Sequence, residues 1–162
     1  MNIADYIYKK VILSSGSTSY DENKLRCGIA CFSSDNGFEQ LSEGHSEAVI
    51  EKVVDNALSP VLSMRKEWIL VYFENYALVE TFRMFSNKVL STACTIFEGQ
   101  PKSSDALQEL EGSLSDYLNK IYAIPELSQF MAHSISDCVM DLDYAAGKSE
   151  QMSIRMMKRI RK

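Results

Sequence analysis

The apolar positions of this chain change their spacing as it proceeds. Residues 6–14, YIYKKVILS, and 25–33, LRCGIACFS, are rich in β-branched and aromatic residues, with the polar segment SGSTSYDENK between them. Such runs predict the first two strands of an antiparallel meander. A third, shorter strand is expected around FEQLSEG, after Asp35-Asn36-Gly37, where Asn-Gly suits a tight turn. From Ser46 the period lengthens. Val49, Ile50, Val53, Val54, Ala57 and Leu58 form one helical stripe, with Ser46 as its N-cap and Pro60 near its end. Trp68 to Phe73, WILVYF, is a short continuous apolar run, the pattern of a central strand covered on both faces. A second helical stripe runs through Leu78, Val79, Phe82, Phe85, Val89 and Leu90 until Gly99 and Pro101 interrupt it. A third helix is expected from Ser104 to Ile121, with Leu107, Leu110, Leu114 and Leu118 facing inward. In IYAIPELSQFMAHS one more extended segment is expected, with Pro125 confining it to an edge strand or two short pieces. Ser134 and Asp137 resemble a capping box ahead of a last helix that stops at Gly147.

This order is three strands, helix, strand, two helices, strand and helix. It predicts an α/β protein with a mixed five-stranded sheet. At 162 residues and 46% apolar composition the chain fits one compact domain, placed at residues 1–150, followed by a basic tail or helix end at 151–162. The net charge of −5 is unevenly spread. Arg155, Lys158, Arg159, Arg161 and Lys162 are 5 of the 17 basic residues, so the remainder sets 12 basic residues against 22 acidic ones, a body at −10. A body that acidic repels phosphate backbones, so the tail is the expected contact for nucleic acid, an acidic protein surface or an anionic membrane, with a solvated helix end as the alternative. Cys27, Cys31, Cys94 and Cys138 are scattered, and an intracellular, reduced protein is expected, with cytoplasm and nucleus not distinguished. On a strand, Cys27 and Cys31 would lie about 13 Å apart, too far for a common zinc, and all four cysteines are assigned to the core. No apolar run approaches the roughly 20 residues of a membrane span.

Four stretches together resemble the ribonuclease H-like family. LSSGS resembles the family's strand-end aspartate followed by Gly-Ser, with Ser15 standing where the acid belongs. HSEAVIEKVVDNAL offers Glu47 at the start of a helix, and VYFENYALV offers Glu74 in the place of an aspartate. HSISDCVMDLDYAAGK supplies His133 and Asp143, similar to the His and Asp that close the family's active site.

The resemblance implies a two-metal phosphodiesterase site in which Glu47, Glu74 and Asp143 hold Mg²⁺ or Mn²⁺ and His133 assists. Replacing the bridging aspartate by Ser15 removes a full negative charge between two dications, which implies a site with its chemistry lost and no cofactor. Asp21, in the loop after the first strand, is the candidate substitute acid. The basic protrusion with which the family grips its substrate is reduced to Lys102 in FEGQPKSSDALQELEG. The expected function is therefore a degenerate, non-catalytic module for protein interaction or for a nucleoprotein complex, with a protein partner and with nucleic acid reached through the tail. Two alternatives stand beside it. One is an active metal-dependent nuclease with an altered carboxylate set, cleaving RNA in RNA/DNA hybrids or structured nucleic acid; the other is an unrelated small α/β adaptor.

Overall fold

A computed structural model describes residues 1–17 and 19–161. Among the described residues the regular elements are helices and no strand is present: α1 (Ile3–Ser15), α2 (Glu22–Asp35), a 3-10 helix (Phe38–Ser42), α3 (Glu47–Leu62), α4 (Lys66–Glu74), α5 (Tyr76–Phe97), α6 (Ser104–Tyr122), α7 (Pro125–Ala145) and α8 (Ile154–Ile160). The expected α/β five-stranded sheet, and with it the resemblance to the ribonuclease H-like family, is overturned.

The reason lies in which residues are buried. In α1 these are Ile3, Ile7, Val11 and Ser15, every fourth residue, and in α2 they are Leu25, Gly28, Ile29, Phe32 and Ser33. In α4 they are Ile69, Leu70 and Phe73. These spacings are those of a helix face, and packing of that face outweighs the modest strand preference of β-branched and aromatic residues. The end signals are helical as well. Asn2 accepts a hydrogen bond from the Asp5 N–H at 3.1 Å, and Asp21, the supposed substitute acid, caps α2 by accepting from the Lys24 N–H at 3.1 Å. Gly16, at φ 64°, ends α1 in the left-handed conformation that suits glycine. Asp35-Asn36-Gly37 is a helix end rather than a hairpin, since Asn36 closes α2 and its side chain donates to the Phe32 carbonyl at 2.8 Å. Pro125 occupies the first turn of α7, where its missing N–H costs nothing, and the expected edge strand is absorbed into that helix.

The four expected helices are all present. α3 opens at its Ser46 cap and α6 spans nearly its expected range, whereas α3 continues through Pro60 to Leu62 and α7 starts well before Ser134.

The chain divides into two compact units, Met1–Ala77 and Leu78–Lys162. In the first, Ile7, Val11, Leu25, Ile29, Phe38, Val54, Leu58, Ile69 and Phe73 form a core from which water is almost wholly excluded. Phe32 meets Phe38, Phe73 and Tyr76 edge to face, at ring-centroid distances of 6.0, 5.5 and 6.0 Å. α2 and α4 pack here at a close approach. A Cβ built on Gly28 would stand 1.7 Å from the carbonyl oxygen of Phe73. In the second unit, Leu90, Ala93 and Cys94 of α5, Ala145 of α7 and Met156 of α8 are buried in one cluster. Elsewhere in that unit, Tyr117 of α6 packs against Phe82 and Phe85 of α5 at 5.7 and 5.1 Å.

Two glycine substitutions should part in sign. Gly28→Ala must displace α4 backbone, and it is expected to cost more than the roughly 1–3 kcal/mol of ordinary overpacking. Gly112 lies inside α6, where an added Cβ would meet no atom within 4 Å. Its change to Ala should gain about 0.8 kcal/mol. Urea unfolding of the two variants and the parent measures both effects.

Candidate functional site

A charged residue interrupts the apolar stripe of α7. Leu127, Met131, Ile135, Cys138, Leu142 and Ala145 are buried along that helix, and Asp141 is buried among them with no exposed surface. A carboxylate in such a place must find donors or give up its charge. Ser153, the N-cap of α8, supplies one: its Oγ donates to Asp141 Oδ1 and accepts from the Met156 N–H at 3.1 Å. Arg155 supplies the countercharge, with Nε 3.4 Å from Asp141 Oδ2. The same guanidinium donates from Nη1 to Ser86 Oγ at 2.7 Å and from Nη2 to the Ser86 carbonyl at 3.0 Å. Three helices of the second unit, α5, α7 and α8, thus meet at one polar node.

The node is imperfectly satisfied, because Asp141 Oδ2 is buried without a hydrogen-bond donor. Burial pushes the Asp141 carboxyl above the usual carboxylate range, and Asp137 adds to this, against the opposing pull of the Ser153 hydrogen bond and Arg155. Beside the node, burial raises the Cys138 thiol to about 11, which makes it a packing residue rather than a nucleophile.

Arg155 also faces a groove of about 380 Å³. Buried Phe82 and Met131, with Val79 and Phe130, give the groove its apolar surface, and Ser86, Asn87 and Ser134 are its neutral polar groups. Its charged groups are Arg83, paired with Glu80 at 3.1 Å, Asp137, 3.7 Å from His133, and Arg155 itself. The groove thus sets four apolar side chains beside six polar or charged ones.

The residues expected to form a metal site have other places. Ser15 ends α1, buried, with its Oγ donating to the Ile12 carbonyl at 3.0 Å. Glu47 is the exposed first residue of α3. Glu74 ends α4 and accepts from the Asp21 N–H at 3.0 Å. Those three belong to the first unit, while His133 and Asp143 belong to the second, ten residues and so about 15 Å apart along α7. His133 is almost fully exposed, and Asp143 lies on another groove with Glu111 and Lys148. Among the described residues no group of three or more His, Cys, Asp or Glu is placed to hold a metal ion.

The basic segment is only partly a solvated tail. Arg155 turns inward, Lys158, Arg159 and Arg161 are exposed, and Lys162 lies outside the described residues. Cys94 and Cys138 are buried as expected, but Cys27 and Cys31 are exposed on α2, so their assignment to the core is corrected. Among the described residues no helix is long and apolar enough to cross a membrane. Comparison of the chain with models of protein families, with curated proteins and with solved structures gives no match. Asp141 is not among the residues that the sequence pattern singled out, although its signal is present: it sits three residues after Cys138 and one before Leu142, on a stripe otherwise apolar.

Ser153→Ala removes both the α8 cap and a donor to a buried carboxylate, so it should cost about 2–4 kcal/mol. Ser103→Ala removes only a cap, the acceptor of the Ala106 N–H, and should cost about 1 kcal/mol. Chemical denaturation of both variants separates the two roles. The pH dependence has a fixed sign. Because the folded carboxyl of Asp141 is raised, the folded state holds a proton that the unfolded chain has released between the ordinary and the raised value. Its contribution to stability therefore grows as pH falls through the raised value and is complete below the ordinary one. Unfolding curves of the parent and Asp141→Asn, compared from neutral pH downward, should shift in the parent's favour.

Proposed function

We propose that the chain is a non-catalytic protein-interaction module whose second unit takes an apolar, carboxylate-bearing segment of a partner protein into the groove beside Arg155. The observation that carries this reading is the fixed guanidinium. Of the five N–H bonds of an arginine, two donate to Ser86 and a third faces Asp141, which leaves two for a ligand. An arginine already held in place loses little side-chain freedom on binding, and its remaining donors suit a carboxylate. Val79, Phe82, Phe130 and Met131 supply apolar contact next to that charge, which fits an amphipathic helix laid into a groove with its anchors three and four residues apart. Phe130 is half-buried, placed to gain contacts when the groove fills.

Selection of a displayed helical-peptide library on the immobilised protein tests the reading. Enriched peptides should combine apolar anchors at helical spacing with Asp or Glu, and should shift the amide resonances of residues 79–87 and 130–137 on titration. Phe130→Asp, whose fold is checked by circular dichroism, should weaken binding at least about tenfold, the loss of one buried aromatic anchor. Peptides without an acidic residue, or equal binding by Phe130→Asp, would refute the groove as the site.

A further inference from the structure

Cys27 and Cys31 stand one helical turn apart on α2, both free and both exposed. The face of α2 that enters the core holds Leu25, Gly28, Ile29, Phe32 and Ser33. At 100° per residue the two cysteines fall on the opposite face, and residues four apart on a helix carry Cβ atoms about 5–6 Å from each other. That separation decides their chemistry. A disulfide needs Cβ atoms about 3.5–4.5 Å apart, so the pair cannot close on itself without unwinding α2. A metal ion between the sulfurs adds reach. With metal–sulfur bonds of about 2.3 Å, a near-linear S–M–S bridge spans about 4.6 Å in place of the roughly 2.05 Å of an S–S bond.

We propose that Cys27 and Cys31 form a dithiolate site for a two-coordinate soft metal ion of the Cu(I) type. Thiolates select soft ions. The pair is not part of any group of three or more His, Cys, Asp or Glu placed to hold a metal among the described residues, so it offers two ligands where a structural zinc takes four. Binding forms two metal–sulfur bonds and releases the two thiol protons to solvent, leaving a bis-thiolate complex with one net negative charge and no change of oxidation state. Buried Cys94 and Cys138, whose thiols burial raises, take no part. The cysteines belong to the first unit and the groove to the second, and failure of the metal site would leave the proposed interaction function untouched.

Anaerobic titration of the reduced full chain with Cu(I), in competition with a chromogenic Cu(I) chelator, tests the site. One ion per chain should bind, with a thiolate-to-metal absorption band and loss of two reactive thiols. Cys27→Ser and Cys31→Ser should each weaken binding by more than about 100-fold, the upper range for losing even an outer-sphere partner of a metal ligand. Spacing variants test the helical geometry directly. Ala30→Cys added to Cys31→Ser puts the thiols three residues apart and should restore binding. Ser34→Cys added to Cys31→Ser puts them two turns, about 10 Å, apart and should not. Unchanged affinity in either serine variant, rescue by Ser34→Cys, or a metal-bridged dimer using one thiolate from each of two chains would overturn the proposal.

Discussion

The second unit depends on a single buried carboxylate. Asp141 lies on the apolar stripe of α7, where a charge costs several kcal/mol unless its surroundings answer it. The answer comes from α8, a helix of seven residues that is too short to hold its shape by propensity alone. Ser153 starts that helix and binds the carboxylate with the same hydroxyl, and Arg155 brings the countercharge from the helix's first turn. The dependence runs both ways, because the carboxylate fixes the helix and the helix makes the carboxylate tolerable. Met156, fully buried with Leu90, Ala93, Cys94 and Ala145, adds apolar burial worth about 1.5–3 kcal/mol to the same short segment.

The functional reading follows from the same node. A guanidinium on an exposed helix end would be mobile and hydrated, and its capture of a ligand would cost side-chain entropy of about 2 kcal/mol. Ser86 receives two of its hydrogen bonds, through its hydroxyl and its carbonyl, so α5 holds the planar group in one orientation. The node is thus structural on its Asp141 side and available on its groove side. A residue that serves both ends cannot be tested alone by deletion, since removing Arg155 orphans Asp141. Phe130 lines the groove without taking part in the Asp141–Ser153–Arg155 contacts, and is the cleaner probe.

The helices at Glu47–Leu62, Tyr76–Phe97 and Ser104–Tyr122 were legible because each carries a long apolar stripe, and the first also shows its serine cap at Ser46. The N-terminal region reads as strand because its helices are built from strand-favouring residues. Tyr6, Tyr8, Val11 and Ile12 crowd α1, and their composition hides the four-residue recurrence of Ile3, Ile7 and Val11. A strand pattern alternates faces, yet Val11 and Ile12 are adjacent apolar residues, as are Ile69 and Leu70, and adjacency of this kind is what a helix stripe produces. Gly28 is silent in the sequence, since nothing local announces that a carbonyl of α4 will approach it. Asp141 was legible in principle and was overshadowed by Asp143, whose interest came only from a resemblance that the fold does not support.

The correction of fold also changes which chemistry the chain can support. On a strand, residues four apart share a face but lie far beyond the reach of one ion. On a helix the same spacing places them within it. The sequence Cys-Gly-Ile-Ala-Cys is unaltered, and so is the number of thiols, but the backbone rise per residue falls from about 3.3 Å to about 1.5 Å. Gly28 and Ile29, between the two cysteines, take the core side of α2, and the close approach of Gly28 to Phe73 fixes the rotation of the helix about its axis. That packing, on the buried side, is what turns both thiols outward together. An alanine at position 28 would disturb the core contact and the presentation of the cysteines alike, so the two features belong to one constraint.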